Sequence, residues 1–152
     1  MSTTTTRPTM GPTGKTLAFA DVAVGAALPE CAVPVSTTSI VAGALASRDY
    51  TPVHHDKAAA QSQGLQDVIM NILTTNGLVG RYVTDWAGPD AIITGVAIKL
   101  GAPNLPGDIM KLAGRVAIKD ERDGTVSVEV VGTNSWGDHV TGRVTVALPR
   151  QV

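Results

Sequence analysis

The sequence predicts an α+β fold in which a curved antiparallel sheet wraps around one long central helix. Two patterns lead to this prediction: one long stretch of apolar residues at helical spacing, and four later segments in which apolar residues alternate. With 152 residues, the chain suits a single domain with one core. Aromatic residues make up only 3%, so the core must consist of Val, Ile, Leu and Ala, which favours β-structure packed on a helix.

The N-terminal part of the chain predicts little regular structure. Residues 1–15 are rich in Thr, Pro and Gly and contain no apolar stretch typical of a signal peptide. We therefore expect a disordered tail, followed by one domain over residues 16–150. Residues 17–35 should form a loop with short extended pieces, because two prolines interrupt them. Ile40 to Ala46 is small and apolar and predicts a strand.

A short helix is expected next. Thr51 suits its N-cap and Pro52 its first helical position, and the helix should continue through Ala60. Gly64 is placed to end it, since glycine adopts the left-handed conformation that commonly follows a helix.

A longer helix is predicted from Val68 to about Trp86, where apolar residues recur near helical spacing. Asp67 is the candidate N-cap, and Gly88-Pro89 should stop the helix. A helix of that length spans about 28 Å.

Four strands complete the predicted fold. Hairpin-connected strands form a sheet with one face to bury, and the long helix is available to cover that face. A hot-dog fold meets this description, and periodicity alone also permits other α+β arrangements. The four strands are predicted at Ala91 to Leu100, Ile109 to Lys119, Val126 to Val130 and Val140 to Leu148, with turns at 120–124 and 135–138.

Composition argues against several kinds of partner. The net charge is −1 and the Lys and Arg residues are scattered, which argues against nucleic-acid binding. Cys31 is the only cysteine, so no internal disulfide can form, and a lone thiol suits a reducing compartment. No stretch approaches the roughly 20 apolar residues needed to cross a bilayer. We expect a soluble cytoplasmic protein without a membrane partner.

Candidate chemistry is concentrated between residues 48 and 56. Asp49 follows the predicted strand, Pro52 makes the following turn rigid, and His54 falls in the first helical turn. A carboxylate and an imidazole held together in this way can position and deprotonate a water molecule. Spacing alone leaves open that Asp49 caps the helix and that His54 is an ordinary, partly buried residue.

The other two histidines are weaker candidates. His55 is expected to be a solvated neighbour of His54, because the next residue on a helix points about 100° away. His139 follows a turn and is expected at the surface. No metal site is predicted, because the three histidines and one cysteine do not fall at zinc-ligand spacings.

The segment Asp49-Tyr50-Thr51-Pro52-Val53-His54 resembles the Asp-x-Asn-Pro-aliphatic-His motif of MaoC-like dehydratases and (R)-specific enoyl-CoA hydratases. The Asp, Pro, aliphatic and His positions match, and Thr51 stands where the motif has Asn. The resemblance implies a hot-dog fold with Asp49 and His54 as the catalytic pair. It also implies the activity of an enoyl-CoA hydratase, a lyase that adds water to a double bond conjugated to a CoA thioester.

Roughly the last three quarters of the chain resembles the small MaoC-like subunit of actinobacterial steroid side-chain enoyl-CoA hydratases. Residues 81–89, with the sequence RYVTDWAGP, carry this resemblance most specifically. It implies an α₂β₂ heterotetramer with a larger MaoC-like subunit that includes an OB-fold domain. The implied substrate is a cholesterol-type steroid acyl-CoA, whose β-hydroxyacyl-CoA product a retro-aldolase cleaves.

The resemblance also implies residues that bind the substrate. In the family, a backbone N–H near the start of the long helix donates to the thioester oxygen, and the corresponding step here is Met70-Asn71. We therefore expect Met70, Asn71 and Thr51 to contact the substrate. No cofactor is expected, because CoA is part of the substrate. The cations available for its phosphates are Lys99, Lys111, Arg115 and Arg143.

Two alternative functions stay open. A hot-dog acyl-CoA thioesterase would hydrolyse the thioester on the same scaffold, with an acid on the long helix. Asp85 lies at the far end of that helix, which disfavours this alternative. The other alternative is a non-catalytic subunit that only completes an interface, and the presence of both Asp49 and His54 argues against it.

Overall fold

The computed structural model describes residues 14–150, and within them the chain forms five strands and three α-helices together with short 3-10 turns. The strands are β1 (Ala27–Pro34), β2 (Ile92–Leu100), β3 (Ile109–Asp120), β4 (Thr125–Asn134) and β5 (Gly137–Ala147). The helices are α1 (Thr37–Ala46), α2 (Lys57–Ser62) and α3 (Ile72–Ala87).

All five strands belong to one antiparallel sheet in the order β1-β3-β4-β5-β2. Bulges interrupt the pairing, for example between Ile93 and Gly95 in β2 and between Val116 and Ile118 in β3. Because a bulge bends its strand and increases the local twist, the sheet is curved. The four strands predicted after the long helix are all present.

Helix α3 lies against the concave face of this sheet and contacts β1, β2 and β5. Its buried residues Thr75, Val79, Val83 and Ala87 recur every four positions, which places them on one face of the helix. Opposite them is a layer of buried valines from the sheet. The predicted architecture, a curved antiparallel sheet around a central helix, is therefore confirmed. The buried valines are Val116, Val126, Val128, Val130, Val140, Val144 and Val146.

Residues 40–46, predicted as a strand, form part of helix α1 instead. A capping box begins this helix. The Ser36 amide donates to the Ser39 hydroxyl at 2.9 Å, and the Ser39 amide donates to the Ser36 hydroxyl at 3.0 Å. Ile40 and Ala44 are buried one helical turn apart, whereas a strand would bury alternate residues. The short apolar run suited both structures, and the cap together with burial on one face favours the helix.

Strand β1 lies within residues 17–35, where mainly loop was predicted. It contains both prolines of that segment, Pro29 and Pro34. An edge strand tolerates proline because one side of its backbone has no partner strand, and β1 is at the edge of the sheet. The strand is formed by pairing with β3, far along the chain, so its own residues indicate it poorly.

The helix predicted over residues 51–60 is divided in two. Pro52–His54 forms a single 3-10 turn, and α2 begins only at Lys57. The Asp56 side chain caps α2, which accounts for the break between the 3-10 turn and this helix. Gly64 follows α2 with a φ of 85°, in agreement with its predicted position at the helix end.

Helix α3 begins at Ile72, four residues after the predicted start at Val68. Its N-cap is Asn71, and the prediction of Asp67 in that role is wrong. Asp67 accepts a hydrogen bond from Lys57 Nζ at 2.7 Å instead.

Residues 68–71 lie outside the helix because their backbone groups bond elsewhere. The Ile69 amide donates to the Val53 carbonyl at 3.0 Å, and the Met70 amide donates to the Asn104 carbonyl at 3.1 Å. These bonds hold the segment extended between the Pro52–His54 turn and helix α3. The other end of α3 agrees with the prediction, since Gly88 is its C-cap.

The N-terminal segment packs on the far end of α3. The Leu17 amide donates to the Ala87 carbonyl at 2.8 Å, and the buried Phe19 ring lies 4.4 Å from Lys119 Nζ. The predicted tail at residues 1–15 lies outside the described residues except for Gly14 and Lys15. None of the helices between residues 14 and 150 has both the length and the apolar character required to cross a bilayer.

Candidate active site

Asp49 is positioned by the end of helix α1. The Arg48 amide donates to the Leu45 carbonyl at 3.1 Å and the Asp49 amide to the Ala44 carbonyl at 2.9 Å, the two bonds of a Schellman motif. Arg48 occupies the left-handed position with a φ of 57°, where glycine is usual. The left-handed conformation costs a non-glycine residue about 1–2 kcal/mol. This turn directs the chain sharply away from the helix at Asp49.

The Asp49 carboxylate is held by two residues. Its Oδ1 accepts hydrogen bonds from the Thr51 amide at 3.2 Å and the Thr51 hydroxyl at 2.7 Å, and its Oδ2 accepts one from the Asn71 side-chain amide at 3.0 Å. These donors, the Thr51 hydroxyl first and the Asn71 amide second, lower the pKa of Asp49 to about 2. Near neutral pH the group is therefore an ionised acceptor of hydrogen bonds.

His54 has a fixed tautomer. Its Nδ1 lies 2.7 Å from the Ile69 carbonyl oxygen, and because a carbonyl can only accept, Nδ1 carries a proton. The Nε2 atom lies 3.3 Å from Asp49 Oδ2, and in the neutral ring it has a free lone pair. The side chains of His54 and Asp49 are 11% and 22% exposed, so solvent reaches both groups.

Two hydrogen-bond acceptors thus face each other across the site. Neither lone pair can satisfy the other, whereas one water molecule can donate one hydrogen to Asp49 and one to the neutral His54 ring. A water held in this way directs its own lone pairs outward. Once His54 takes up a proton, its Nε2–H can donate to Asp49 Oδ2. The arrangement can therefore orient a water molecule and accept its proton.

The structure brings all of the predicted substrate-binding residues close to this pair. The exposed Thr51 donates its hydroxyl to Asp49 and makes no helix cap with it. The Asn71 side chain donates to Asp49 and is only 2% exposed, and Met70 beside it is buried. The backbone of the Met70-Asn71 step lies at the N-terminus of α3, as expected. Contact of Met70, Asn71 and Thr51 with a substrate stays a prediction.

His139 is buried, and the prediction that it lies at the surface is wrong. It is 1% exposed, with Nδ1 at 2.7 Å from the Ala102 carbonyl oxygen and Nε2 at 2.9 Å from Thr75 Oγ1. The ring joins β5 to the first turns of α3, so it belongs to the core of the domain. His55 is exposed, as expected for a solvated neighbour of His54.

The cations suggested for CoA phosphates lie on the sheet and are all exposed. Lys99 and Arg143 line a shallow groove across β2, β4 and β5, where Arg143 pairs with Glu129 at 3.1 Å. Lys111 and Arg115 lie on β3. Arg115 and Arg143 are both cross-strand neighbours of Glu129, so the four side chains do not divide into separate pairs.

A family model for the MaoC like domain matches residues 22–145, most of the chain. The chain belongs to the MaoC-like family. It is also 47% identical over 125 residues to the 3-oxo-4,17-pregnadiene-20-carboxyl-CoA hydratase beta subunit of Mycobacterium tuberculosis, covering 82% of this chain and 95% of that protein. Together, the family match and the hydratase relative show that the chain is a hydratase, an enzyme of the hydro-lyase class.

Solved structures of MaoC-like proteins agree with the fold. The chain is similar to a chain of the ChsH1-ChsH2 complex from Mycobacterium tuberculosis, with a TM-score of 0.81 and 46% identity over 84% of this chain and 98% of that chain. It is also similar to the R-hydratase PhaJ1 from Pseudomonas aeruginosa, with a TM-score of 0.81 and 22% identity over 90% of this chain and 88% of that chain. The PhaJ1 similarity shows a shared hot-dog fold.

Sequence reasoning missed two groups that shape the site in this MaoC-like chain. Ser47 accepts a hydrogen bond from Asn71 Nδ2 at 2.9 Å, and the Ile69 carbonyl fixes the tautomer of His54. The proximity of Ser47 to Asp49 in the sequence was a weak indication of its place. The Ile69 carbonyl left no indication, because every residue has such a group.

The variant His139→Gln should make stability less dependent on pH. Burial lowers the pKa of His139, so below pH ~6.5 the unfolded chain binds more protons at this residue than the folded chain does. The free energy of unfolding therefore falls as the pH decreases through this range, by at most about 1.4 kcal/mol per pH unit. Glutamine removes this titration.

Denaturant unfolding between about pH 7.5 and 5 measures how steeply the free energy of unfolding depends on pH in wild type and in His139→Gln, with His55→Gln as the exposed control. Equal slopes in His139→Gln and wild type would contradict the prediction.

Proposed function

We propose that this chain adds water to the β-carbon of an α,β-unsaturated acyl-CoA and that Asp49 and His54 activate the water. The observation that carries the proposal is the 3.3 Å approach of His54 Nε2 to Asp49 Oδ2, with the ring proton held at Nδ1 by the Ile69 carbonyl. Two acceptors directed at one point suit a water molecule that must lose a proton.

The reaction follows from the polarity of the substrate. The thioester carbonyl withdraws electrons, so the β-carbon is electrophilic. As the water oxygen bonds to that carbon, one water proton passes to the Asp49–His54 pair and the electrons of the double bond move toward the thioester oxygen. The pair then returns this proton to the α-carbon as the electrons move back from the thioester oxygen, which completes the β-hydroxyacyl-CoA and restores the pair. No cofactor is consumed in this scheme, because CoA belongs to the substrate.

The negative charge that develops on the thioester oxygen requires a hydrogen-bond donor. Backbone N–H groups in the first turn of a helix lack partners within the helix, and the helix dipole favours negative charge at that end. The Met70-Asn71 step stands at the N-terminus of α3, beside Asp49. The Met70 amide already donates to the Asn104 carbonyl, so we assign the donor to the backbone N–H of Asn71.

We further propose a steroid acyl-CoA as the substrate and a larger MaoC-like subunit with an OB-fold domain as the partner, in an α₂β₂ heterotetramer. The M. tuberculosis relative is named as the beta subunit of a hydratase for 3-oxo-4,17-pregnadiene-20-carboxyl-CoA, and the similar structure is a ChsH1-ChsH2 complex. A cytoplasmic location suits the lone thiol of Cys31. A retro-aldolase would consume the β-hydroxyacyl-CoA product.

The proposal is tested with the chain co-produced with its partner. A steroid enoyl-CoA should lose the ultraviolet absorbance of its conjugated thioester and gain the mass of one water, without release of free thiol. Rapid thiol release with no hydrated product would instead identify a thioesterase and overturn the proposal. A short linear enoyl-CoA serves as the comparison substrate, and equal kcat/KM for both would contradict the steroid assignment.

Without its partner, the chain is expected to aggregate or to lose most of its activity. Four large apolar side chains adjoin the site in sequence and are 48–64% exposed, a grouping typical of a covered surface. Size-exclusion chromatography and enoyl-CoA turnover of the chain, alone and co-produced, measure the difference. A stable and fully active monomer would contradict this expectation. The four residues are Leu45, Tyr50, Ile72 and Leu73.

A further inference from the structure

We infer that Asn71 is a positioning residue, whose side-chain amide holds the Asp49 carboxylate in place beside His54. This inference rests on the proposed function and adds a residue that acts through Asp49. It differs from the sequence prediction for Asn71, which was contact with the substrate.

The Asn71 side chain uses both ends of its amide. Its Oδ1 accepts the Thr74 amide at 3.0 Å and so caps α3, while its Nδ2 donates to Ser47 Oγ at 2.9 Å and to Asp49 Oδ2 at 3.0 Å. Three bonds of matching polarity fix the amide in one orientation, since a flip would bring donor to donor at Thr74 and acceptor to acceptor at Asp49. At 2% exposure, the side chain is shielded from competing water.

Asn71 donates a hydrogen bond to Asp49 from a different segment of the chain than the turn that contains Asp49. Thr51, two residues along the same exposed turn, holds Oδ1. Asn71 comes from the start of α3 and holds Oδ2, the oxygen that lies 3.3 Å from His54 Nε2. Removing the amide would leave Oδ2 free to rotate away from the position in which both acceptors meet one water.

The support behind Asn71 is rigid. Ser47, which accepts from Asn71, donates its own hydroxyl to the Gly43 carbonyl at 2.7 Å and belongs to the end of α1. Helices α1 and α3 touch so tightly there that a Cβ at Gly43 would overlap Thr74, with only 2.8 Å to its Cγ2 atom. The amide therefore links two packed helices to the carboxylate, and small shifts of Asn71 are opposed on both sides.

The first test is Asn71→Ser in the co-produced complex. Serine keeps a hydroxyl that can cap α3, but it is too short to reach both Thr74 and Asp49. We expect kcat for enoyl-CoA hydration to fall by about 10²-fold, as for misplacement of a reacting group by roughly 1 Å. KM should change little, because Asp49 rather than the bound acyl chain loses its support. Asn76→Ser on the same helix is the matched control and should keep wild-type kcat.

The second test is the pH–rate profile of Asn71→Asp. Aspartate keeps the size and the cap but places a second carboxylate at hydrogen-bonding distance from Asp49. Two carboxylates so close cannot both ionise normally, so one pKa of the pair rises. We expect kcat of Asn71→Asp to gain a further titration between about pH 4 and 8, in addition to any pH dependence that wild type and Asn76→Ser share. A role limited to helix capping would not create it.

The outcomes separate this inference from the proposed function. If Asp49→Asn abolishes turnover while Asn71→Ser keeps wild-type kcat, the positioning role is wrong and the hydratase proposal stands. If KM rises alone in Asn71→Ser, the residue binds substrate, which overturns the inference. A loss of kcat that matches the loss of assembled complex, with no new titration in Asn71→Asp, also overturns it. Full activity in Asp49→Asn contradicts the proposed function itself.

Discussion

The assembled complex carrying Asp49→Asn is expected to lose about 10²–10⁴-fold in kcat, the range that general acid–base groups contribute. Asparagine keeps the size of the side chain, and its carbonyl oxygen can still accept from Thr51. It cannot serve as the ionised partner of His54 or share the proton that the attacking water gives up. Initial rates of enoyl-CoA hydration over a range of substrate concentrations measure the loss.

Asp56→Asn is the matched control for this substitution. Asp56 is an exposed carboxylate just beyond His54, and its visible contact is the cap of α2. This variant should retain kcat near that of wild type. His54→Gln should lose activity on the same scale as Asp49→Asn. The double variant should have a kcat only slightly below that of the less active single variant, because the effects of groups that act as a unit are not additive. Near-normal turnover in both single variants would leave the chain as a structural subunit.

Gly88→Ala should give the largest loss of stability among single methyl additions to helix α3 or its caps. Gly88 has φ 100° and ψ 172°, a conformation that is essentially restricted to glycine and costs other residues about 1–3 kcal/mol. A Cβ there would also overlap the Thr16 Cα atom and lie 2.9 Å from the Lys15 carbonyl oxygen. Because the obstruction is backbone, a rotamer change cannot relieve it. We expect a loss of at least about 3 kcal/mol in the free energy of unfolding.

Gly77→Ala is the control on the same helix. Gly77 is exposed in the middle of α3, and a Cβ there would meet nothing within 4 Å. Alanine should therefore stabilise the helix by about 0.5–1 kcal/mol. Denaturant unfolding of the co-produced complex measures both variants. A Gly88→Ala complex as stable as wild type would show that the N-terminal segment does not pack against Gly88 in solution.

The elements that the sequence predicted well are those whose residues contain the determining contacts. Strands β3, β4 and β5 contain alternating buried positions and are joined by short turns, so their pairing is local. Strand β2 alternates between exposed and partly buried positions and pairs with the distant β5. The end of α3 could be predicted because Gly88 has a conformation that few other residues adopt. The Asp49 and His54 pair could be predicted because a rigid turn at Pro52 separates the two residues by only a few positions.

The elements that were predicted wrongly depend on distant contacts. Helix α1 has a short apolar run that also suits a strand, and its burial against the rest of the domain favours the helix. Helix α3 starts at Ile72 because Val53 and Asn104, from other segments, bind the backbone of residues 69 and 70. His139 follows a turn in the sequence, yet Thr75 and Ala102 enclose it in the core.

By itself, the sequence determined the fold class, four of the five strands, and which carboxylate and imidazole form the candidate pair. Periodicity and turn residues act over a few positions, and such features can be read along the chain. Only the tertiary structure decided that Asn71 caps α3 and also holds Asp49, and that the Ile69 carbonyl directs the proton of His54 to Nδ1. The bond from Asn71 to Asp49 and the bond from His54 to the Ile69 carbonyl join residues that are 22 and 15 positions apart, and both form only after these segments have packed together.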